Sequence, residues 1–189
     1  MEDRSKLVKI FLEKNSQINL SAIRDEEGVR VKHIQDSLEL LAFSDLEEGS
    51  KVCDVGTGSG FPLLPLAMTN PAVSFIGVDS VKKKTIAINE IIAQLWLKNV
   101  KVLWTRAEDY KTQFDIVTAR AVAYVDKLLP WIVHLVKTGG LIILYKPFSL
   151  DERKDLLTLC KRFRLRIEKE HKYSLFDGDI KRVIYVIRK

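Results

Sequence analysis

Cysteine is scarce. Only Cys53 and Cys160 occur in 189 residues, and neither has a CxxC or His-rich neighbourhood. That excludes a disulfide framework and a zinc site of ordinary ligand spacing, and it points to free thiols in a reducing cytoplasm. No apolar run approaches the ~18 residues of a membrane span, so no membrane association is expected. The opening Met1-Glu2-Asp3-Arg4 is acidic and lacks an apolar segment, so a secretory signal is not expected either. Proline numbers only five, and no Ser/Pro-rich linker, repeat or low-complexity tract divides the chain. It reads as a single domain over residues 1–189, long enough to bury a substantial core.

The charge is uneven. Residues 1–50 carry 7 basic and 11 acidic side chains, net −4, whereas residues 51–150 and 151–189 are each net +5, giving +6 overall. A positive excess over the last three-quarters is compatible with a nucleic-acid partner, though many basic proteins bind none.

The first fifty residues read as a helical extension. Leu7, Ile10 and Phe11 fall at i, i+3, i+4, as do Ile34, Leu38 and Leu41. Beyond Gly49-Ser50, over residues 51–189, β-branched runs alternate with longer amphipathic segments. Strands are expected at Lys51–Val55, Val73–Asp79, Val100–Thr105, Phe114–Ala119, Leu141–Lys146, Leu165–Lys172 and Val183–Arg188. Helices are expected at Pro62–Met68, Lys82–Leu97, Val125–Val136 and Asp151–Phe163. Such alternation implies an α/β fold with a mostly parallel, doubly wound sheet. Only Tyr173–Arg182 separates the last two strands, too little for a helical crossover, so they read as an antiparallel pair. Seven strands with an antiparallel last one is the Rossmann-like layout of class I S-adenosylmethionine-dependent methyltransferases, here with N-terminal helices.

The segment Asp54-Val55-Gly56-Thr57-Gly58-Ser59-Gly60-Phe61 follows the first strand and opens a helix. Ligands of open α/β sheets bind at the carboxyl ends of the strands, and glycines there admit a ligand to the backbone N–H groups. The spacing is Gly-x-Gly-x-Gly, unlike the Gly-x-Gly-x-x-Gly of dinucleotide sites. Asp54 before the glycines suits a ligand with two positive centres. Asp79, 19 residues after Gly60, ends the second strand. A carboxylate there can accept ribose hydroxyl protons or cap the following helix. Together these features point to a nucleoside cofactor.

Several further segments carry a resemblance. Asn19-Leu20-Ser21-Ala22-Ile23, His33-Ile34-Gln35-Asp36-Ser37-Leu38, the glycine loop through Pro62, Asp79-Ser80 with Lys83-Lys84, Arg106-Ala107-Glu108, Phe114–Ala121 and Lys146 recur across nearly the whole chain. In them the sequence resembles the bacterial 16S (small-subunit) rRNA guanine-N7 methyltransferases, also called glucose-inhibited division protein B. The resemblance implies S-adenosylmethionine as methyl donor, with S-adenosylhomocysteine as product and no metal. It implies 16S rRNA or the small ribosomal subunit as partner, no DNA, a monomer and a cytoplasmic location. Gly56 and Phe61 would contact the cofactor, Ala107 and Glu108 would lie beside its adenine, and Arg120 would stand near the methionine or target base; Gly58 and Gly60, by their place in the glycine loop, are expected at the cofactor as well. Two positions depart from the family pattern: Leu63 and Pro147 stand where glycine is usual. Leu63 is expected to narrow the cofactor loop.

Guanine N7 presents an in-plane lone pair, so its methylation needs no general base. The chain lacks the Asn/Asp-Pro-Pro-Tyr element of amino-group methyltransferases and a loop cysteine for attack on a pyrimidine. Cys53 and Cys160 read as inert core thiols.

Other candidates stand beside plainer readings. Lys82-Lys83-Lys84 begins a helix, where cations oppose the macrodipole, so the run reads equally as a phosphate contact or as a solvated face. His33 lines the substrate side or pairs locally with Asp36 at i+3. Arg120 and Lys146 end neighbouring strands at the sheet's active edge, and both are candidates for the site. The basic run Lys161-Arg162-Phe163-Arg164-Leu165-Arg166 grips phosphate or simply ends a helix. Trp96, Trp104 and Trp131 are expected in the core. Two other functions compete: an NAD-dependent oxidoreductase, and a non-catalytic ribosome-assembly factor that only Leu63 supports.

Overall fold

The chain is described by a computed structural model over residues 2–189; Met1, with which the expected domain begins, lies outside the described residues. Helix α1 (Glu2–Ile18) is followed by a short turn α2 (Glu26–Gly28), capped by the Asp25 carboxylate accepting from Gly28 N–H at 2.7 Å. A π-helical stretch, Val29–Gln35, then leads into α3 (Asp36–Leu38) and a 3₁₀ turn, Glu39–Ala42. π-Helical turns are rare and concentrate at functional sites; this one carries His33.

The expected strands all form, as β1 (Lys51–Val55), β2 (Ser74–Asp79), β3 (Val100–Trp104), β4 (Phe114–Arg120), β5 (Val136–Pro147), β6 (Arg166–Leu175) and β7 (Ile180–Arg188). The intervening helices are α4 (Leu63–Thr69), α5 (Lys82–Gln94), α6 (Val125–Ile132) and α7 (Leu150–Phe163). Ser149 caps α7, its hydroxyl accepting from Glu152 N–H.

These strands build one sheet in the order β3-β2-β1-β4-β5-β7-β6. β1 to β5 are parallel, and β7 runs antiparallel to both β5 and β6. This is the class I Rossmann-like architecture. The strand order reverses between β1 and β4, which opens a crevice at their carboxyl ends.

Several boundaries differ from expectation. Helix α5 stops at Gln94, and Trp96 takes a positive φ of 57° in the turn beyond. α6 gives way to a 3₁₀ turn, Val133–Leu135, because β5 begins as early as Val136, which pairs with Phe114 of β4 across a register irregularity. The β6–β7 hairpin closes through the 3₁₀ turn Phe176–Gly178.

Side chains alternate across a strand, so each face packs its own layer. Val52, Phe75, Ile116, Ile143 and Tyr145 bury against α1, α4 and α5, together with Leu7, Phe11 and Leu40 of the N-terminal segment. Cys53, Val117, Ile142, Leu144 and Tyr185 bury against α6 and α7. The N-terminal segment therefore covers one face of the sheet and shares its core. No helix among the described residues is long and apolar enough to cross a membrane.

Candidate active site

A cavity of about 540 Å³ opens at the switch point, above the carboxyl ends of β1, β2, β3 and β4. The loop after β1 forms its floor. Gly56 has φ +63°, and a Cβ there would sit 2.7 Å from Val122 Cγ2, so only glycine fits. Gly58, with φ +51°, also faces the cavity. Gly60 turns the other way: its Cβ would meet Leu64 at 2.8 Å and Ile88 at 3.2 Å. It does not line the cavity, which corrects its expected place beside the cofactor; it serves close helix packing.

Asp54 is also corrected. It is buried beneath the loop, accepting from the Thr57 hydroxyl and from the Thr118 hydroxyl at 2.7 Å, and does not line the cavity. Burial raises its pKa to about 6 against the lowering effect of those two hydroxyls. Its carboxylate braces the glycine loop from below. Asp79 does line the cavity. Its Oδ2 accepts from Gly58 N–H and its Oδ1 from Val81 N–H, each at 2.8 Å. Each oxygen keeps a second lone pair for another donor. Val81 itself provides no side-chain cap to α5. Ala107 and Glu108, on a 3₁₀ turn after β3, line the same wall.

Leu63 lies behind this floor. It is buried and not part of the cavity, and its Cδ2 occupies the space that a Cβ on Gly77 would need. A bulky residue at 63 is matched by a missing one at 77, so the expected narrowing of the cofactor loop does not occur. The same geometry removes the only support for a decayed, non-catalytic site.

At the other side of the cavity Arg120 extends from the end of β4 into a dense polar cluster. Its Nε donates to Phe61 O at 3.2 Å, its Nη1 to Lys32 O at 2.9 Å and to Asp36 Oδ2 at 2.8 Å, and its Nη2 to His33 Nδ1 at 2.9 Å. A guanidinium only donates, so His33 Nδ1 must be the accepting nitrogen and Nε2 carries the proton. That N–H donates to Ser21 Oγ at 2.9 Å. Burial first, and the Arg120 charge second, lower the His33 pKa to about 3. The ring is neutral at ordinary pH, and it stacks on Phe61 with centroids 4.5 Å apart.

Asp36 is the hub of the cluster. Only 1 % exposed, it receives Arg120, the Tyr173 hydroxyl at 2.6 Å, and Arg182 through Nε at 3.1 Å and Nη2 at 3.2 Å. The expected local pair between His33 and Asp36 is therefore replaced: each side chain turns to Arg120 instead. Nothing local in the sequence pointed to Tyr173 or Arg182. They reach Asp36 from β6 and β7, more than 130 positions along the chain. A charge opening the otherwise apolar run Val183–Ile187 was the one available signal.

Lys146 is also corrected. It is buried on the opposite face of the sheet, donating to Glu152 Oε1 at 2.6 Å and Ala123 O at 2.5 Å, and it lines neither cavity that Arg120 lines. Glu152 also accepts from Val125 N–H, so this pair fixes the loop between β4 and α6. Of the three lysines that begin α5, Lys84 lines the cavity and Lys82 and Lys83 are exposed. Trp104 is 59 % exposed, donating to Ser80 O at 3.0 Å under the Lys82 ammonium, and Trp96 is 81 % exposed. Both stand outside the core expected for them, because β3 is an edge strand and Trp96 sits in a surface turn. Trp131 lines the cavity. Cys53 and Cys160 are buried free thiols, and burial raises the pKa of each. Among the described residues no group of His, Cys, Asp and Glu is arranged to hold a metal.

A family model described as rRNA small subunit methyltransferase G matches residues 1–173. A protein named ribosomal RNA small subunit methyltransferase G from Lysinibacillus sphaericus is 33% identical, over 97% of this chain and 80% of its own length. One of the same name from Lachnoclostridium phytofermentans is 35% identical, over 95% and 77% respectively. Among solved structures, a SAM-dependent methyltransferase from Aquifex aeolicus superposes with a TM-score of 0.67 at 18% identity, over 87% of this chain and 94% of its own. At that identity the likeness speaks for the fold alone.

Proposed function

The chain belongs to the rRNA small subunit methyltransferase G family, S-adenosylmethionine-dependent enzymes of 16S rRNA, and from that premise we propose that it methylates N7 of a guanine by in-line displacement without a general base. The observation that carries the finer reading is the state of His33. It is the only imidazole lining the cavity, and both of its nitrogens are committed, one to Arg120 and one to Ser21. Among the described residues, His33 and Asp36, which both bond Arg120, have their acceptor atoms engaged. Asp79 keeps a lone pair on each oxygen but ends β2, two strand spacings or roughly 10 Å from β4, and Glu108 follows β3, roughly 14 Å from β4. An exocyclic amine would need its proton managed, whereas N7 does not.

The residues fit the methyl donor. Gly56 and Gly58 keep the floor free of side-chain bulk, Asp79 offers lone pairs to a ribose, and Ala107 with Glu108 frames a flat heterocycle. When bound, S-adenosylmethionine supplies an electron-poor methyl group on a sulfonium. What the protein adds is positioning. Arg120 is held by four hydrogen bonds, and Phe61 and His33 are stacked beside it, so the wall at the reacting end is rigid before either partner arrives. Alignment of this kind contributes up to ~7–11 kcal/mol in favourable systems. Lys82 and Lys83, exposed and flanked in sequence by the lining residues Val81 and Lys84, supply positive charge for phosphate. The active species is taken to be a monomer.

Labelled S-adenosylmethionine supplied with unmodified small-subunit RNA, or with ribosomal particles, tests this directly. Chemical cleavage should map the label to N7-methylguanine. Label on an exocyclic amine or a pyrimidine carbon would overturn the base-free mechanism.

A further inference from the structure

A second cavity, of about 230 Å³, lies on the far side of Arg120, walled by Lys32, Ala121, Leu175, Ile180 and Arg182. We propose that it seats the acceptor guanine and that Arg182 reads the base's O6, an assignment that rests on the guanine-N7 reading above. His33, Arg120 and Ala121 line both cavities. The two cavities therefore adjoin, and a base in the smaller one would meet a methyl donor in the larger one at the seam these residues line, where N7 and the methyl group must come into direct contact. Leu175 and Ile180 approach from the β6–β7 hairpin and present apolar surface suited to the face of a planar ring.

The polar side of the cavity is a donor surface. Asp36 accepts from three side chains, and Arg182 spends Nε and Nη2 on it. Among the described residues no acceptor meets Arg182 Nη1, on a guanidinium whose plane the Asp36 carboxylate already fixes. Guanine carries two neighbouring acceptors, O6 and N7, where adenine pairs N7 with an amino donor. An arginine usually takes O6 and N7 together, but methylation requires N7 to stay bare. One N–H of the Nη1 group donated to O6 satisfies both demands, and it would meet the adenine amino group donor to donor. The arrangement thus selects guanine at the atom next to the one methylated.

The test uses the full-length protein and synthetic small-subunit RNA fragments, after the methylated guanine has been mapped in wild type. 2-Aminopurine at that position keeps N7 and loses O6; inosine keeps both. Wild type should lose about 10–100-fold in kcat/KM on 2-aminopurine and stay within about threefold on inosine. Arg182→Gln should lose a similar factor on guanine, with no further loss on 2-aminopurine. Tyr173→Phe, which also removes an Asp36 partner but leaves Arg182 Nη1, should keep the wild-type ratio between the two bases. An equal ratio in wild type and Arg182→Gln, or a loss on inosine as large as on 2-aminopurine, would overturn the O6 contact. Failure of the underlying reading looks different: wild type would place the methyl group elsewhere than guanine N7.

Discussion

Two buried ion pairs stand at the ends of adjacent strands, Arg120–Asp36 at the end of β4 and Lys146–Glu152 near the end of β5, and only the first lines the two cavities described above. Both cations are nearly buried, both bonds are short, and both look alike along the chain. Their difference lies in register. Arg120 pairs with Tyr145, so Lys146 is one residue further along and points to the other face. Arg120 meets the N-terminal segment and the two cavities, whereas Lys146 meets α7 and closes a loop. A buried charge at a strand end therefore identifies a strong local constraint, and its face decides whether that constraint serves chemistry or architecture.

The contrast can be broken most sharply at Arg120. Arg120→Lys keeps a charge for Asp36 but loses the fork that holds Phe61, Lys32 and His33 together; methyl transfer should fall about 10²–10⁴-fold, with RNA affinity changing far less. Equal losses in turnover and RNA binding, by single-turnover kinetics and filter binding, would move Arg120 out of the reacting wall. Lys146→Ala should act the other way. It strands Glu152 and should cost about 3–5 kcal/mol in denaturant unfolding, while the folded fraction keeps its turnover. The paired change Lys146→Met with Glu152→Leu should recover most of that stability, since an apolar pair of similar volume needs no desolvated charge.

Acid sharpens the comparison further. His33 is neutral in the folded protein and titrates near 6.5 when unfolded, so acidification from pH 6.5 towards 3 favours the unfolded chain, at up to about 1.4 kcal/mol per pH unit. Asp54 opposes this. Its folded pKa is raised to about 6, so between about pH 6 and 3.8 it gains stability as protons bind. His33→Gln should flatten the acid limb between pH 6.5 and 6 and, between about pH 6 and 3.8, leave the Asp54 gain unopposed, so that stability rises on acidification where wild type stays level; an unchanged limb in urea titrations across pH would contradict the neutral ring. The smallest effect belongs outside both pairs. Lys82→Ala and Lys83→Ala should each lower the salt dependence of RNA affinity by about one unit of slope without changing turnover at saturation.

Much of this was readable from the chain. The β-branched runs and their spacing marked every strand, because burial on both faces of a parallel sheet demands continuous apolar residues. The glycine loop, Asp79, Ala107, Glu108, Arg120 and His33 converge on one cavity as their positions in the pattern imply. Asp54, Gly60 and Lys146 do not, although each is adjacent in sequence to a residue that does or ends a strand as one does. Composition at those positions says that something polar or small is required; it does not say on which side.

By itself, then, the sequence determined the order of strands and helices, the place of the glycine loop and the family, since all three are written in local spacing and short motifs. Only the tertiary structure decided that Asp36 joins Arg120 to Arg182 and Tyr173, that Gly77 makes room for Leu63, and that Lys146 turns away. Those outcomes depend on strand register and on contacts between segments far apart in the chain, and a one-residue change of register moves a side chain to the opposite face.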